Sequence, residues 1–166
     1  MADPTSGSTR FPGTVCHVPV PPAAHVLSTL SRIDYENAVL ADPDPAPDRT
    51  AGQWARAVLE DADAGTRQAL TQGWTSLGLT LAPAGSDGHV LGWRVRRGTP
   101  DAVLLSAAAT LGLRAELLFQ RLEGKALLAC FIQLDDDAAR ARWAPVESRH
   151  PQVMHRLLEQ AVSRVT

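Results

Sequence analysis

The sequence is poor in cysteine, and it contains no long apolar run. Cys16 and Cys130 stand far apart, with no CxxC pair and no matching histidine spacing. This pattern argues against a zinc site and against a disulfide framework, so we expect two free thiols. A membrane-spanning helix needs roughly 18 consecutive apolar residues, and a secretory leader needs a basic region before a hydrophobic one. The sequence has neither, so a cytoplasmic protein without a membrane span is expected.

An excess of charge is also absent. The chain carries 16 basic and 18 acidic residues, with a formal net charge of -2, and both signs are spread along its length. Nucleic acid is therefore not an expected partner, since its binding calls for a concentrated basic surface. There is no Gly-rich phosphate loop and no nucleophile elbow. We expect no cofactor.

A metal site is not expected either. The histidine pair closest to a ligand-type spacing is His150 and His155. On a helix, a separation of five residues places side chains about 140° apart around the axis. The two imidazoles would then point in different directions.

At 166 residues the chain suits one domain. A chain of this length can bury roughly two thirds of its unfolded surface, which allows a sizeable core or a core with a cavity. Residues 1–14 combine Pro, Gly, Ser and Thr with little to bury, so they are expected to form a disordered tail. Residues 15–166 are expected to form the domain.

The first part of that domain has a weak pattern. Three prolines interrupt residues 15–27, which favours an edge strand or an irregular lead-in. Residues 29–40 fit strand and helix periods equally well.

Two short helices are predicted after the first strand. Thr50 can cap a helix at about residues 50–61, with Gln53 completing a capping box. A second helix is predicted at about residues 64–77, where apolar residues recur at helical spacing and Gly78 provides a stop.

An antiparallel meander follows. Leu91, Trp93 and Val95 alternate with glycine and arginine, as in a half-buried strand. Three further apolar segments are joined to it by short turns, the last of which is a tight hairpin turn at residues 123–125. Four consecutive strands are therefore predicted.

A long amphipathic helix closes the chain. Three acidic residues at 135–137 suit the positive end of its dipole. Apolar side chains then recur every three or four residues. The stripe consists of Trp143, Val146, His150, Val153, Leu157, Ala161 and Val165, widened by Met154, Leu158 and Val162. Pro151 is expected to kink or break this helix, because proline lacks the N–H donor and clashes with the preceding turn.

Four segments and the order of elements resemble an uncharacterised actinobacterial branch of the START-like superfamily, also called SRPBCC or birch-pollen-allergen-like proteins. The segments are SRIDYENA, GWTSLGL, LGWRVRRGTPDAVLL and RARWAPVESRHPQVMHRLLEQA, and the resemblance covers residues 15–165. It implies an α+β helix-grip fold, in which an antiparallel sheet wraps around the C-terminal helix. It also implies a hydrophobic cavity between the two. The superfamily includes lipid and sterol carriers, hormone receptors and polyketide aromatase/cyclases.

The leading hypothesis is a protein that binds a small hydrophobic or amphipathic molecule, such as a lipid or a polyketide-like metabolite, in that cavity. The predicted ligand-binding residues are Trp93, Val95, Leu117, Phe119, Val146, His150, Val153, Met154 and Leu157. Arg94, Arg96 and Arg97 can bind an anion. A solvated outer face is the simpler interpretation, because Trp93 and Val95 occupy the inner one.

Two alternatives remain open. His150 and Tyr35 are candidate catalytic residues of a cyclase, aromatase or dehydratase, since an imidazole or a phenol can transfer a proton or polarise a carbonyl. The plainer interpretation is a buried histidine and a buried tyrosine, each satisfied by a neighbouring group. The third possibility is a structural or partner-binding domain, for which a homodimer is one possible form.

Overall fold

The structure is a computed structural model that describes residues 14–165. The predicted disordered tail lies, apart from Thr14, outside the described residues. In chain order the elements are β1 (Thr14–Val18), α1 (Pro22–His25), β2 (Tyr35–Asp42), α2 (Ala51–Leu59), α3 (Ala64–Ser76), β3 (His89–Val90), β4 (Trp93–Gly98), β5 (Ala102–Ala108), β6 (Leu113–Leu122), β7 (Lys125–Leu134), α4 (Asp137–Glu147) and α5 (His150–Val165).

All seven strands form one antiparallel sheet in the order β1-β2-β7-β6-β5-β4-β3. The predicted meander is confirmed as β4 to β7. The ambiguous stretch at residues 29–40 contributes β2, which pairs with β7 from Tyr35 opposite Ile132 to Ala41 opposite Ala126. With the C-terminal helix packed on one face, this is the α+β helix-grip architecture that was predicted.

The inner face of the sheet carries the main core. Leu105, Phe119 and Leu128 on the sheet belong to one buried cluster with Trp54 of α2 and Leu158 of α5. The start of α2 follows the sequence prediction. Thr50 Oγ1 accepts a hydrogen bond from the Gln53 amide at 3.1 Å, and Gln53 Oε1 accepts one from the Thr50 amide at 2.9 Å. These bonds satisfy donors that the first turn of a helix leaves unpaired.

The outer face is also covered, which the sequence did not predict. Residues 18–33 pack over it and form a second buried cluster with β5, β6 and β7. The sheet contributes Ala38, Leu104, Leu118, Leu127, Ala129 and Phe131, and the covering segment contributes Ala24 together with the partly buried Val18, Val20, Leu27, Leu30 and Ile33. Because both faces are covered, every residue of β7 after Lys125 is buried.

Glu116 fixes the covering segment to the sheet. This carboxylate is only 1% exposed. It accepts hydrogen bonds from the Ser28 and Thr29 hydroxyls, both at 2.5 Å, and from the Thr29 amide at 3.1 and 3.2 Å. A buried carboxylate is stable when its oxygens are hydrogen-bonded in this way.

The single terminal helix predicted from the sequence is divided in the structure into two helices, α4 and α5. The break falls at Ser148 and Arg149, ahead of the proline expected to cause it. Pro151 is the second residue of α5. In the first turn a missing N–H removes no intrahelical bond, so this proline is well placed to begin the helix rather than to kink it. Within residues 14–165, every helix is too short or too polar to span a lipid bilayer.

Replacing Glu116 with alanine is expected to destabilise the protein by about 2–4 kcal/mol, because it removes the carboxylate that accepts the hydrogen bonds of the Ser28 hydroxyl and of the Thr29 hydroxyl and amide. It should also speed proteolysis within residues 18–33. Urea denaturation and limited proteolysis measure the two effects. The matched control is Glu123→Ala, which removes an exposed carboxylate from the β6–β7 turn. Equal stability of the two variants would contradict the role assigned to Glu116.

Candidate functional site

A cavity of about 420 Å³ lies between the inner face of the sheet and helices α3, α4 and α5. We call it the inner cavity. Its walls are Thr66, Ala69, Leu70, Gly73, Trp74, Ser76 and Leu77 from the α3 segment, Leu79, Trp93, Ala115, Leu117, Cys130 and Ile132 from the sheet side, Trp143 and Val146 from α4, and Arg149, His150, Val153, Arg156, Leu157 and Gln160 from α5 and the residue before it.

The exposed members of this lining locate the mouth of the cavity. Ala69, Gly73 and Ser76 are exposed on α3, and Arg149, Val153 and Arg156 are exposed on the opposite side. The residues from the sheet, by contrast, are buried. The mouth therefore lies between α3 and α5, and the sheet forms the floor.

Helix α3 is the least buried wall. Asp63 begins it by accepting hydrogen bonds from the Thr66 amide and hydroxyl at 2.8 and 2.9 Å, and these bonds lower the pKa of the Asp63 carboxyl. None of its 13 residues is buried. It packs through the partly buried Leu70 and Trp74, and the Trp74 ring meets Trp93 edge-on with centroids 5.3 Å apart.

Tyr35, Trp143 and His150 form an aromatic cluster beside the cavity. Their ring centroids are separated by 4.9 Å (Tyr35–Trp143), 5.4 Å (Tyr35–His150) and 5.2 Å (Trp143–His150). Tyr35 Oη lies 3.3 Å from His150 Nδ1. The two candidate catalytic residues are therefore in contact, although 115 residues separate them in the chain.

Both members of this pair are neutral near pH 7. Burial lowers the pKa of His150 to about 4. Burial raises the pKa of Tyr35, and the negative charge of Glu147 acts in the same direction. The phenol keeps its proton. When this O–H donates a hydrogen bond to Nδ1, the imidazole proton is on Nε2. The pair can offer a hydrogen bond to a ligand without carrying charge.

Several buried polar atoms near the cavity have no hydrogen-bond partner among residues 14–165. They include the indole Nε1 of Trp93 and of Trp143, side chains that are only 1% and 2% exposed, and Oε1 of Gln160. The side-chain amide of Asn37, opposite Cys130 in the strand register, is also unpaired. A buried donor without a partner costs about 1–3 kcal/mol, so such atoms indicate a place where water or a ligand binds.

Six of the nine predicted ligand-binding residues line the inner cavity: Trp93, Leu117, Val146, His150, Val153 and Leu157. The other three lie outside its lining. Phe119 and Met154 are buried in the core at 1% and 3% exposure. Val95 is partly buried and precedes a register shift between β4 and β5. Tyr35 reaches the cavity through its contact with His150.

Sequence reasoning missed the α3 wall, four lining residues of the sheet side (Leu79, Ala115, Cys130 and Ile132) and three polar residues of α5 and its start. Arg149, Arg156 and Gln160 follow one another at intervals of seven and four residues, and Val153 lies between the arginines. The sequence contains this helical spacing, but the prediction of lining residues used the apolar stripe alone.

A second depression lies across the outer face of the sheet. This outer groove, of about 580 Å³, is lined by Arg94, Arg96 and Arg114 together with Glu116 and Gln133. Arg94 and Arg96 are exposed on this side, as the simpler interpretation predicted. Glu116 is held by Ser28 and Thr29, and Gln133 by Ser31 and Asp135, so the buried polar groups of this groove are satisfied within the protein.

The two thiols are free. Cys130 lies in the wall of the inner cavity, where burial raises the pKa of its thiol and keeps it protonated. A protonated thiol is a poor nucleophile. Between residues 14 and 165, no three His, Cys, Asp or Glu side chains come close enough to hold a metal ion.

Comparison with known proteins leaves the chain without an assigned family. No family profile and no protein of curated function matches it. A protein from Arthrobacter aurescens solved by NMR is 14% identical with a TM-score of 0.42, covering 82% of this chain and 93% of that one. CalU16 from Micromonospora echinospora is 10% identical with a TM-score of 0.32, covering 92% and 94%. Likenesses this remote carry no inference about function.

The stability of the protein is expected to depend on the protonation of His150. Its pKa of about 4 in the native state lies below its ordinary value of 6.5. The unfolded chain therefore binds the proton first as the pH falls. The contribution of neutral His150 to the free energy of unfolding is fully present above pH 6.5 and is lost progressively towards pH 4. About 2 kcal/mol is lost between pH 7 and pH 5.

Urea denaturation at pH 7 and pH 5 measures this loss. His150→Gln cannot titrate, so its free energy of unfolding should fall less over this interval than that of the wild type. His89→Gln, on β3, is the control and should keep the wild-type dependence. Identical pH dependence in all three proteins would contradict the buried, neutral imidazole.

Proposed function

We propose that this chain is a START-like protein that binds a small amphipathic molecule in the inner cavity. The observation that carries the proposal is the pairing of a largely apolar cavity with buried indole N–H groups that have no partner in the protein. An apolar core that served stability alone would have no reason to leave such donors unpaired.

The size and walls of the cavity suit a small ligand. Its volume of about 420 Å³ lies within the range of about 300–1,000 Å³ typical of ligand sites. Leu117, Ile132 and Leu157 supply apolar contact, and Trp74 and Trp93 supply aromatic contact. Burial of an apolar ligand body against these side chains is favourable by roughly 25 cal/mol for each Å² removed from water.

The unpaired polar atoms indicate which polar groups the ligand carries in addition to its apolar body. The indole N–H of Trp93 and of Trp143 can each donate to a carbonyl or hydroxyl oxygen, and Gln160 Oε1 can accept from a hydroxyl. A hydrocarbon would leave all three unsatisfied. An oxygenated lipid or a polyketide-like metabolite satisfies them.

The superfamily assignment is supported by topology. Seven antiparallel strands, two helices between β2 and β3, and a C-terminal helix against the inner face agree with the helix-grip arrangement that the sequence segments resemble. The cavity lies where that resemblance implies it, between the sheet and the terminal helix.

A catalytic role is the second candidate, and the contact between Tyr35 and His150 favours it. The phenol contacts Nδ1 of an imidazole that itself lines the cavity. In the tautomer in which the phenol donates, His150 Nε2–H is available to polarise a carbonyl of a bound ligand. This arrangement suits a dehydratase, cyclase or aromatase. A pKa of about 4 makes His150 a weak base, so hydrogen-bond donation is its stronger capacity.

The third possibility, a partner-binding domain, receives less support. The large apolar side chains that are exposed in the described part are Val26, Leu111, Leu122 and Val153. They belong to four separate segments of the chain, whereas a partner surface calls for a contiguous apolar patch.

Binding can be tested with the neutral fluorophore N-phenyl-1-naphthylamine, whose emission rises on entering an apolar site. Wild-type protein should bind it saturably. Gly73 stands at the mouth of the cavity, and a Cβ added there meets no atom within 4 Å. Gly73→Phe is therefore expected to fold and to weaken binding about tenfold or more, because the ring occupies the space that the ligand needs.

The matched variant is Gly73→Ala, which adds a methyl group only. It should stabilise α3 by up to about 1 kcal/mol through helix propensity and should weaken binding far less than phenylalanine does. Absence of saturable binding to the wild type, or equal binding to Gly73→Phe, would overturn the cavity proposal.

The catalytic candidate is tested with a synthetic poly-β-ketone thioester, following loss of water or ring closure by mass spectrometry. Turnover should be lost in His150→Ala and strongly reduced in Tyr35→Phe, while circular dichroism shows retained folding. Turnover that persists in both variants would rule out this role for the pair. Wild-type turnover no faster than the uncatalysed rate would rule it out as well.

A further inference from the structure

We propose that the inner cavity selects ligands that end in an oxyanion, and that Arg149 and Arg156 bind this group at the mouth. The inference rests on the proposed function, since it assumes that the cavity holds a ligand. It adds the chemical class of that ligand: an amphipathic carboxylate or phosphate monoester.

The first support is the placement of the two arginines. Arg149, Val153, Arg156 and Gln160 are spaced by four, three and four residues, which places them on one face of α5 and its start. All four line the inner cavity. Arg149 and Arg156 are exposed, as are the α3 residues opposite them, so both guanidinium groups lie at the mouth.

The second support is the absence of a competing partner. Among residues 14–165, neither the Arg149 nor the Arg156 side chain makes a hydrogen bond or an ion pair. Three other arginines are ion-paired: Arg32 with Asp34 at 2.9 Å, Arg56 with Glu60 at 2.9 Å and Arg121 with Asp101 at 2.8 Å. Within the described residues, Arg94 and Arg96 on the outer groove are unpaired as well. Two free guanidinium groups at one cavity mouth are available for a ligand.

The third support is the sign of the charge around the cavity. The described lining contains two arginines and no Asp or Glu, although the chain as a whole has a formal net charge of -2. The nearest acidic neighbours in the chain lie outside the lining. Glu159 contacts His155 at 3.7 Å. Glu147, which ends α4, acts on Tyr35 beside the cavity but is not part of the lining. A cleft lined by charge of one sign attracts ligands of the opposite sign.

The position of the arginines sets the orientation of the ligand. An oxyanion at the mouth can accept paired hydrogen bonds from a planar guanidinium, the geometry that favours arginine at carboxylate and phosphate sites. The apolar body then extends towards Leu117 and Ile132 on the floor. The indole N–H groups of Trp93 and Trp143 are left to bind a carbonyl or hydroxyl along that body.

A matched pair of fluorophores separates this inference from the proposed function. Anilinonaphthalene sulfonate carries the ring system of N-phenyl-1-naphthylamine plus one anionic group. Wild-type protein should bind the sulfonate about tenfold more tightly than the neutral dye, in keeping with charge-assisted hydrogen bonds. The preference should shrink as salt concentration rises, because ions screen exposed charges.

The decisive variant is Arg149→Gln combined with Arg156→Gln. The ratio of the two affinities should fall about tenfold, to near one. The control is Arg94→Gln combined with Arg96→Gln, which makes the same change in net charge on the outer groove. The control should retain the wild-type ratio, and an equal fall in both double variants would overturn the assignment to the cavity mouth.

Competition then identifies the anionic group. Decanoate and decyl phosphate are compared with decanol for displacement of the bound dye. Preference for either anion over decanol supports the inference and names carboxylate or phosphate as the group that the arginines bind. Equal displacement by all three overturns it.

The outcomes distinguish the two proposals. If neither dye binds saturably, or if Gly73→Phe binds both as the wild type does, the cavity proposal fails. If the neutral dye binds in the cavity but the sulfonate shows no preference that depends on Arg149 and Arg156, only the oxyanion inference fails.

Discussion

The structure depends on covering both faces of one antiparallel sheet. Its central strand β7 is buried from Ala126 to Leu134, so side chains of both orientations need apolar neighbours. Helices α2 and α5 cover the inner face, and residues 18–33 cover the outer face. The inner face has a larger area than helices α2 and α5 cover. The inner cavity is the remaining space, closed by α3 and α4.

The parts of this fold that sequence predicted are those specified locally. Helix α2 has its capping box, and β4 to β7 have alternating side chains and tight turns, so each carries its own signal. Residues 18–33, which cover the outer face, carry no such local signal, because their apolar side chains lie in an irregular, proline-containing segment. From the alternation of β6, Glu116 is predicted to face solvent. In the structure, Ser28 and Thr29, some 87 residues earlier in the chain, lie against it and bury it.

The candidate site was predictable to a similar depth. The apolar stripe of α5 and the strand alternation identified six lining residues of the inner cavity, of which Trp93 and Leu117 belong to the floor. Tyr35 and His150 were each selected for their chemistry, yet only the pairing of β2 beside β7 brings them together, since their contact joins opposite ends of the chain. The α3 wall escaped prediction because two partly buried side chains, Leu70 and Trp74, make too weak a pattern to show which element they face.

The weak burial of α3 also gives the proposed ligand a route of entry. Elements held by extensive burial open only with global unfolding, whereas an element with few buried contacts opens at low free-energy cost. Helix α3 has no buried residue and borders the mouth. The buried tryptophans are the opposite case: Trp93 on the floor and Trp143 on α4 are fixed in the core while their N–H groups remain unpaired. Buried indole donors without partners beside a weakly held wall fit the proposed binding function, because residues selected for stability alone would pair those donors.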